Sequence, residues 1–254
     1  MKYLPKINRK IKSKSFVNKT GRNFQTFKID YSNLPPLKFK KNHNARSIEL
    51  LGLGSYSKKI TQYLSSTLDN SSSEIHKITD MLKKIIKDFI KKTNKDTAII
   101  HLRVHLPIKN NNYNYKTPRW HTDGKYFPNM KKHQFKFFTT IHGKSTLIHK
   151  WNKTYSDHIR KYREHMLKNI LPLADNTLIY DKKLISARKN LAKKLNNPAD
   201  NTYNSAYGLV NGEMATIHSE PYFDDYRLFM AILPSTKKNM DEKKIFRKKQ
   251  KITY

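Results

Sequence analysis

The 254-residue sequence contains no cysteine. That removes disulfides, thiolate nucleophiles and cysteine-ligated zinc, so any metal must be held by histidine and carboxylate. The same absence suits a reducing compartment, and an intracellular, cytoplasmic location is expected. Acidic residues are also few, 19 against 52 Lys and Arg. Apolar runs are short, and none reaches the roughly 18 residues that suggest a membrane span. The basic N-terminus is followed by no apolar segment of the signal-peptide kind, so no leader is expected. No internal repeat is visible. The length allows one sizeable core, and a single main domain is the starting expectation.

The imbalance of charge gives a formal net charge of +33. Residues 1–46 carry 13 basic residues against one acid, and residues 235–254 carry 8 against 2, so the middle still holds +15. Charge spread this evenly reads as a solvated lysine-rich surface, since 42 of the 52 basic residues are lysine. Lysine attracts phosphate but reads bases poorly. Non-specific contact with nucleic acid or another polyanion through the basic arms is the expected consequence.

Residues 1–46 read as a basic, partly ordered arm in which Pro35-Pro36 prevents regular helix. Its aromatics, Phe24, Phe27 and Tyr31 among them, suggest that part of it lies against the main body. Residues 47–234 form the expected domain and 235–254 a basic tail. The clearest helix is 71–92. Ser71 and Glu74 have capping-box spacing, and Ile75, Ile78, Leu82, Ile85 and Phe89 recur every three or four residues. A shorter amphipathic piece centres on Ile60, Tyr63 and Leu64. Residues 98–106, 135–142, 145–148 and 205–210 read as strands, with a polar loop at 110–117. Residues 155–170 and 186–195 read as an inserted helix pair, the second capped by Ser186. Asn211-Gly212 between two apolar runs predicts a hairpin whose returning strand ends at His218.

The chemistry concentrates in Trp120-His121-Thr122-Asp123-Gly124. On an extended chain residues two apart share a face, so His121 and Asp123 can converge on one ion. They make two-thirds of the two-histidine, one-carboxylate facial triad of non-haem Fe(II) oxygenases. His218 is the candidate second histidine, and Arg227, nine residues later, opens the apolar run 228–233. Glu220 makes a second triplet with His218 and could replace Asp123. Trp120 and Phe127 read as core aromatics and Arg119 as a surface ion-pair partner. His101, His105, His133, His142 and His149 read as structural or solvent-facing.

The order H-x-D, distal His, Arg resembles the Fe(II)/2-oxoglutarate-dependent dioxygenase superfamily over residues 95–235. The resemblance implies a mainly β chain with flanking helices, built as a double-stranded β-helix (a jelly-roll, cupin-like barrel). It implies His121, Asp123 and His218 as catalytic iron ligands, Asp123 being preferred over Glu220 by the family order. It also implies Arg227 as the anchor for the distal carboxylate of 2-oxoglutarate. The implied cofactors are Fe(II), 2-oxoglutarate and O2, coupled to hydroxylation or oxidation of a substrate the sequence does not name. The turn Gly143-Lys144-Ser145-Thr146-Leu147 resembles the glycine-bearing turn that follows the strand after H-x-D, and Gly212 precedes the distal-histidine strand as such glycines often do. Arg227 is followed by Leu228-Phe229 rather than the R-x-S of some subfamilies. A second contact to 2-oxoglutarate is open between Thr139, Tyr126 and His105.

Two alternatives stand beside this. One is a non-catalytic polyanion-binding protein on a jelly-roll scaffold, and the other a cupin-like metalloenzyme that uses no keto acid. Neither needs a guanidinium beside the metal, so Arg227 discriminates.

Overall fold

The computed structural model describes residues 23–41, 47–107, 117–124, 126–127, 133–174, 177–195, 203–221 and 225–249. Residues 1–22 of the expected arm and most of the loop expected at 110–117 lie outside them.

Two antiparallel sheets organise the chain. The larger has six strands in the order β1 (Phe24–Phe27), β6 (Ser205–Leu209), β4 (Phe135–His142), β8 (Arg227–Ser235), β3 (Thr97–His105) and β2 (Ser47–Leu51). The smaller pairs β5 (Leu147–Ile148) with β7 (His218–Ser219), and His121 bridges to His218 on the other edge of β7. Both sheets are open among the described residues, and helices flank them.

Strand alternation gives the large sheet two different faces. Ile100, Leu102 and Val104 of β3, Leu228, Met230 and Ile232 of β8, and Phe137 and Ile141 of β4 form one apolar face. It packs against α1 (Tyr56–Thr67) and α2 (Ser72–Thr93). The helix α2 begins with the expected capping box on Ser71 and Glu74, and its periodic residues from Ile75 to Phe89 are at most 2% exposed. Truncating one of them, Leu82→Ala for instance, would cost about 2–5 kcal/mol by lost contact and cavity formation. The alternate residues, Arg103 on β3, Arg227 and Phe229 on β8, and Lys136 and Phe138 on β4, face a cavity shared with His121 and His218.

Three elements depart from the sequence reading. The hairpin at Asn211-Gly212 is a turn only, with Gly212 at φ 85°. Both edges of β6 are already occupied, by β1 and β4, so the returning chain crosses to the smaller sheet. Ser186 lies inside α4 (Thr177–Lys194), because Leu184, Ala187 and Leu191 bury a stripe across it. Packing overrides its capping tendency. The preceding helix, α3 (Lys153–His165), runs into a π turn at Met166–Ile170. The segment expected as a tail forms α5 (Lys237–Lys249), whose Met240 is 2% exposed and packs on Ile99, Phe127 and Leu233. Arg247, paired with Glu49, and the Lys237 amide, bonded to Asp96, hold it there as well. Of the arm, β1 and the buried Ile29 lie against the body. Among the described residues no helix is long and apolar enough to cross a membrane.

Candidate metal centre

His121 and His218 sit opposite each other on neighbouring strands, and Asp123 follows two residues on. Their ligand atoms all lie within 4.8 Å of one another. His218 Nε2 lies 3.6 Å from Asp123 Oδ2. Adjacent ligands of one ion, each at roughly 2.0–2.2 Å from it, stand about 3 Å apart, so small side-chain movements close the set.

Both imidazoles are pre-oriented. His121 Nδ1 donates to the Arg119 carbonyl at 2.8 Å, and His218 Nδ1 to the Thr216 carbonyl at 3.0 Å. A carbonyl only accepts, so each Nδ1 carries the proton and each Nε2 presents a lone pair. Burial depresses the pKa of both rings, that of His218 to about 3, which keeps them neutral. Burial opposes ionisation of Asp123, but the Lys136 ammonium beside it outweighs this and holds the carboxyl below its usual range. The Lys136 ammonium contacts Asp123 Oδ2, and the Tyr126 hydroxyl donates to Oδ1 at 3.1 Å. Gln134 fixes this segment by accepting from the Tyr126 and Phe127 amides and donating to the Phe127 carbonyl at 2.8 Å.

Arg227 is fully buried at 0% exposure and lines the same cavity of about 190 Å3 as the three residues. Its Nε donates to the Lys144 carbonyl at 2.9 Å, and one terminal nitrogen reaches Thr140 and Thr146 at 3.2 and 2.7 Å. The other nitrogen faces His105 Nε2 at 3.4 Å. None of these partners is a carboxylate. Burial lowers the guanidinium to about 10, and burial together with Arg227 lowers His105 to about 4. Asp225 instead approaches His142, at 3.9 Å. Gly143 makes the cradle possible. It has φ 84°, and a Cβ there would lie 2.6 Å from the Tyr226 carbonyl and 3.1 Å from Arg227 Cα.

No protein-family model matches the chain, and no curated protein does. Solved structures align with it over nearly the full length. The cobalt(II) complex of the Kdo hydroxylase KdoO, a non-haem Fe(II) α-ketoglutarate-dependent dioxygenase, has 10% identity and a TM-score of 0.43, covering 99% of this chain and 94% of that one. The same hydroxylase with succinate and Fe(III) has 11% identity and a TM-score of 0.42 over the same shares. Its apo form has 11% identity and a TM-score of 0.40, over 98% and 93%.

The other residues divide between agreement with the sequence reading, as for Glu220, Trp120 and Phe127, and departure from it, as for Thr139 and Lys136. Glu220 lies outside the triad, held by Arg103 and Arg119. Thr139 is on the helix-facing side, bonded to Tyr31 and Ser205, while Tyr126 lines the cavity and His105 touches Arg227. Trp120 and Phe127 are core residues, each 3% exposed. Lys136 was missed. The signal was available in Phe135-Lys136-Phe137-Phe138, where two consecutive aromatics mark both faces as buried and place the lysine on the face of Phe138.

Proposed function

We propose that the chain is an Fe(II)/2-oxoglutarate-dependent dioxygenase, with His121, Asp123 and His218 holding iron and Arg227 holding the keto acid. The observation that carries this is a buried guanidinium, with no carboxylate hydrogen-bonded to it among the described residues, in the cavity of a two-histidine, one-carboxylate set. Two neutral imidazoles and one carboxylate suit Fe(II) and leave the other octahedral positions to exogenous ligands. A guanidinium shut away from water calls for an anion, and its fork matches a carboxylate. A cupin-like enzyme without a keto acid has no use for it.

Two further features support the reading. Lys136 is a second buried cation in the cavity, four residues along β4 from the Thr140 that binds Arg227. Its ammonium contacts Asp123, so positive charge stands at the triad end of the cavity as well as at Arg227. From β3 to β8 the chain also alternates between large and small sheets at every step. This supports reading the fold as a double-stranded β-helix.

When bound, iron and 2-oxoglutarate would supply the oxidising chemistry: one oxygen atom of O2 would end in succinate as the keto acid loses CO2, and the other in the hydroxylated substrate or in water. The chain's own residues hold and orient. Lys136 and Tyr126 keep Asp123 ionised and aimed, the Thr216 and Arg119 carbonyls fix the imidazoles, and Phe138 and Phe229 narrow the water-accessible space. The test is anaerobic titration with Fe(II) and then 2-oxoglutarate, read by the visible metal-to-ligand charge-transfer band. A protein that binds iron but develops no band with the keto acid would overturn the proposal.

A further inference from the structure

We propose that the substrate carries an oxyanion, a carboxylate or a phosphate, and that Arg103 and Arg119 bind it at the mouth of the cavity. As a statement about a reaction this rests on the dioxygenase reading; as a statement about binding it does not.

Arg103 comes from β3 of the large sheet, and Arg119 precedes the His121 bridge of the small one. They meet on one carboxylate. Arg103 donates to Glu220 Oε1 at 3.1 Å and Arg119 to Oε2 at 3.3 Å. The arginine side chains are nevertheless 41% and 49% exposed, and all three residues line the cavity of the triad. Two guanidiniums on one carboxylate keep an excess positive charge, and each has more N–H donors than one oxygen uses.

The cavity as a whole has the same excess. Among the described residues that line it, four cations, Arg103, Arg119, Lys136 and Arg227, face two carboxylates, Asp123 and Glu220, which leaves two positive charges with the histidines counted as neutral. A divalent metal and a dicarboxylate cancel each other, so loading the site does not remove it. Such an excess, concentrated in a cleft with low-dielectric walls, selects for an anion. The outermost and most accessible of the four cations are the two arginines. A purely structural cluster is the competing explanation, with Glu220 latching the two sheets together.

Calorimetric titration of the metal-free 254-residue protein with inorganic phosphate and, separately, acetate distinguishes them. Arg103→Gln/Arg119→Gln is the test variant. Lys189→Gln/Lys193→Gln, on the exposed side of α4, removes equal charge elsewhere and corrects for the general attraction of a +33 chain. Binding at Arg227 persists in both and cancels. The expected result is a saturable site for one of the anions, weakened tenfold or more in the arginine variant alone; the preferred anion identifies carboxylate or phosphate. Glu220→Gln should tighten binding by removing the competing carboxylate. Equal losses in both double variants, no saturable site in the parent, or a Glu220→Gln protein that only melts earlier would overturn the proposal. None of these outcomes bears on the charge-transfer band, so the two readings fail independently.

Discussion

His121 and His218 face each other across neighbouring strands and exchange both backbone hydrogen bonds, each at 2.9 Å. Their rings lie 4.4 Å apart, centroid to centroid. The spacing between these two candidate ligands is therefore set first by backbone pairing. Replacing either histidine by alanine should abolish tight Fe(II) or Co(II) binding while leaving the backbone pairing and the melting temperature nearly unchanged. Cobalt titration read by visible absorption, beside a thermal melt, checks both. Unchanged cobalt spectra in His218→Ala would remove that residue from the ligand set.

Arg227→Ala should weaken 2-oxoglutarate binding by roughly thirtyfold or more, since truncating one partner of a buried charge pair costs about 2–5 kcal/mol. Metal affinity should stay near the parent value. Arg227→Lys should recover only part, because an ammonium keeps the charge but loses the two-pronged geometry. Separate titrations of cobalt and keto acid, with succinate formation as the activity readout, distinguish these effects. Parental keto-acid turnover in the alanine variant would show that Arg227 serves only the fold.

Gly143→Ala tests the cradle. At φ 84° a Cβ is strained and would meet the Tyr226 carbonyl, so β8 must shift at its first residue. Backbone strain of this kind costs about 1–3 kcal/mol. The variant should melt several degrees lower and raise the KM for 2-oxoglutarate with little effect on cobalt affinity. A loss of stability without a change in KM would separate the turn from the keto-acid site.

A pH effect should come from Glu49. Burial raises its carboxyl, but hydrogen bonds and charge from His101 and Arg247 outweigh this and bring it from 4.5 down to about 2. Because the folded pKa lies below the unfolded one, this contribution is complete above about pH 4.5 and is lost as pH falls toward 2. Melting temperature measured from pH 6 to pH 2.5 should fall in that window. Glu49→Gln should be less stable at pH 6 and flatter below pH 4.5. If the two curves run parallel, the Glu49–Arg247 contact is not holding α5 in place.

What the sequence exposed and what it hid follow the range of the interactions. His121 and Asp123 were legible because an i, i+2 pair needs only an extended chain, and α2 because its cap and its stripe are both local. The pairing that puts His218 beside His121 is not local, and the choice of Asp123 over Glu220 leaned on the resemblance alone. Arg103 and Arg119 meet Glu220 across 117 and 101 residues, which no spacing pattern encodes. β1 and β2 are short strands that gain their order from β6 and β3, so neither has a strong pattern of its own. The hairpin failed for a similar reason: the Asn-Gly turn is real, but which edge is free to receive the next strand is decided elsewhere.

His121 and His218 are 97 positions apart, and the span between them includes α3, α4 and three strands. An ion held at both ends would clamp that span shut, as a covalent cross-link does elsewhere. Closing a loop of this length removes unfolded-chain entropy worth about 4.7 kcal/mol in the disulfide case. In a polypeptide that cannot form such links, iron would be a structural staple as well as a reagent. Chelation would then loosen the inserted helices along with the chemistry.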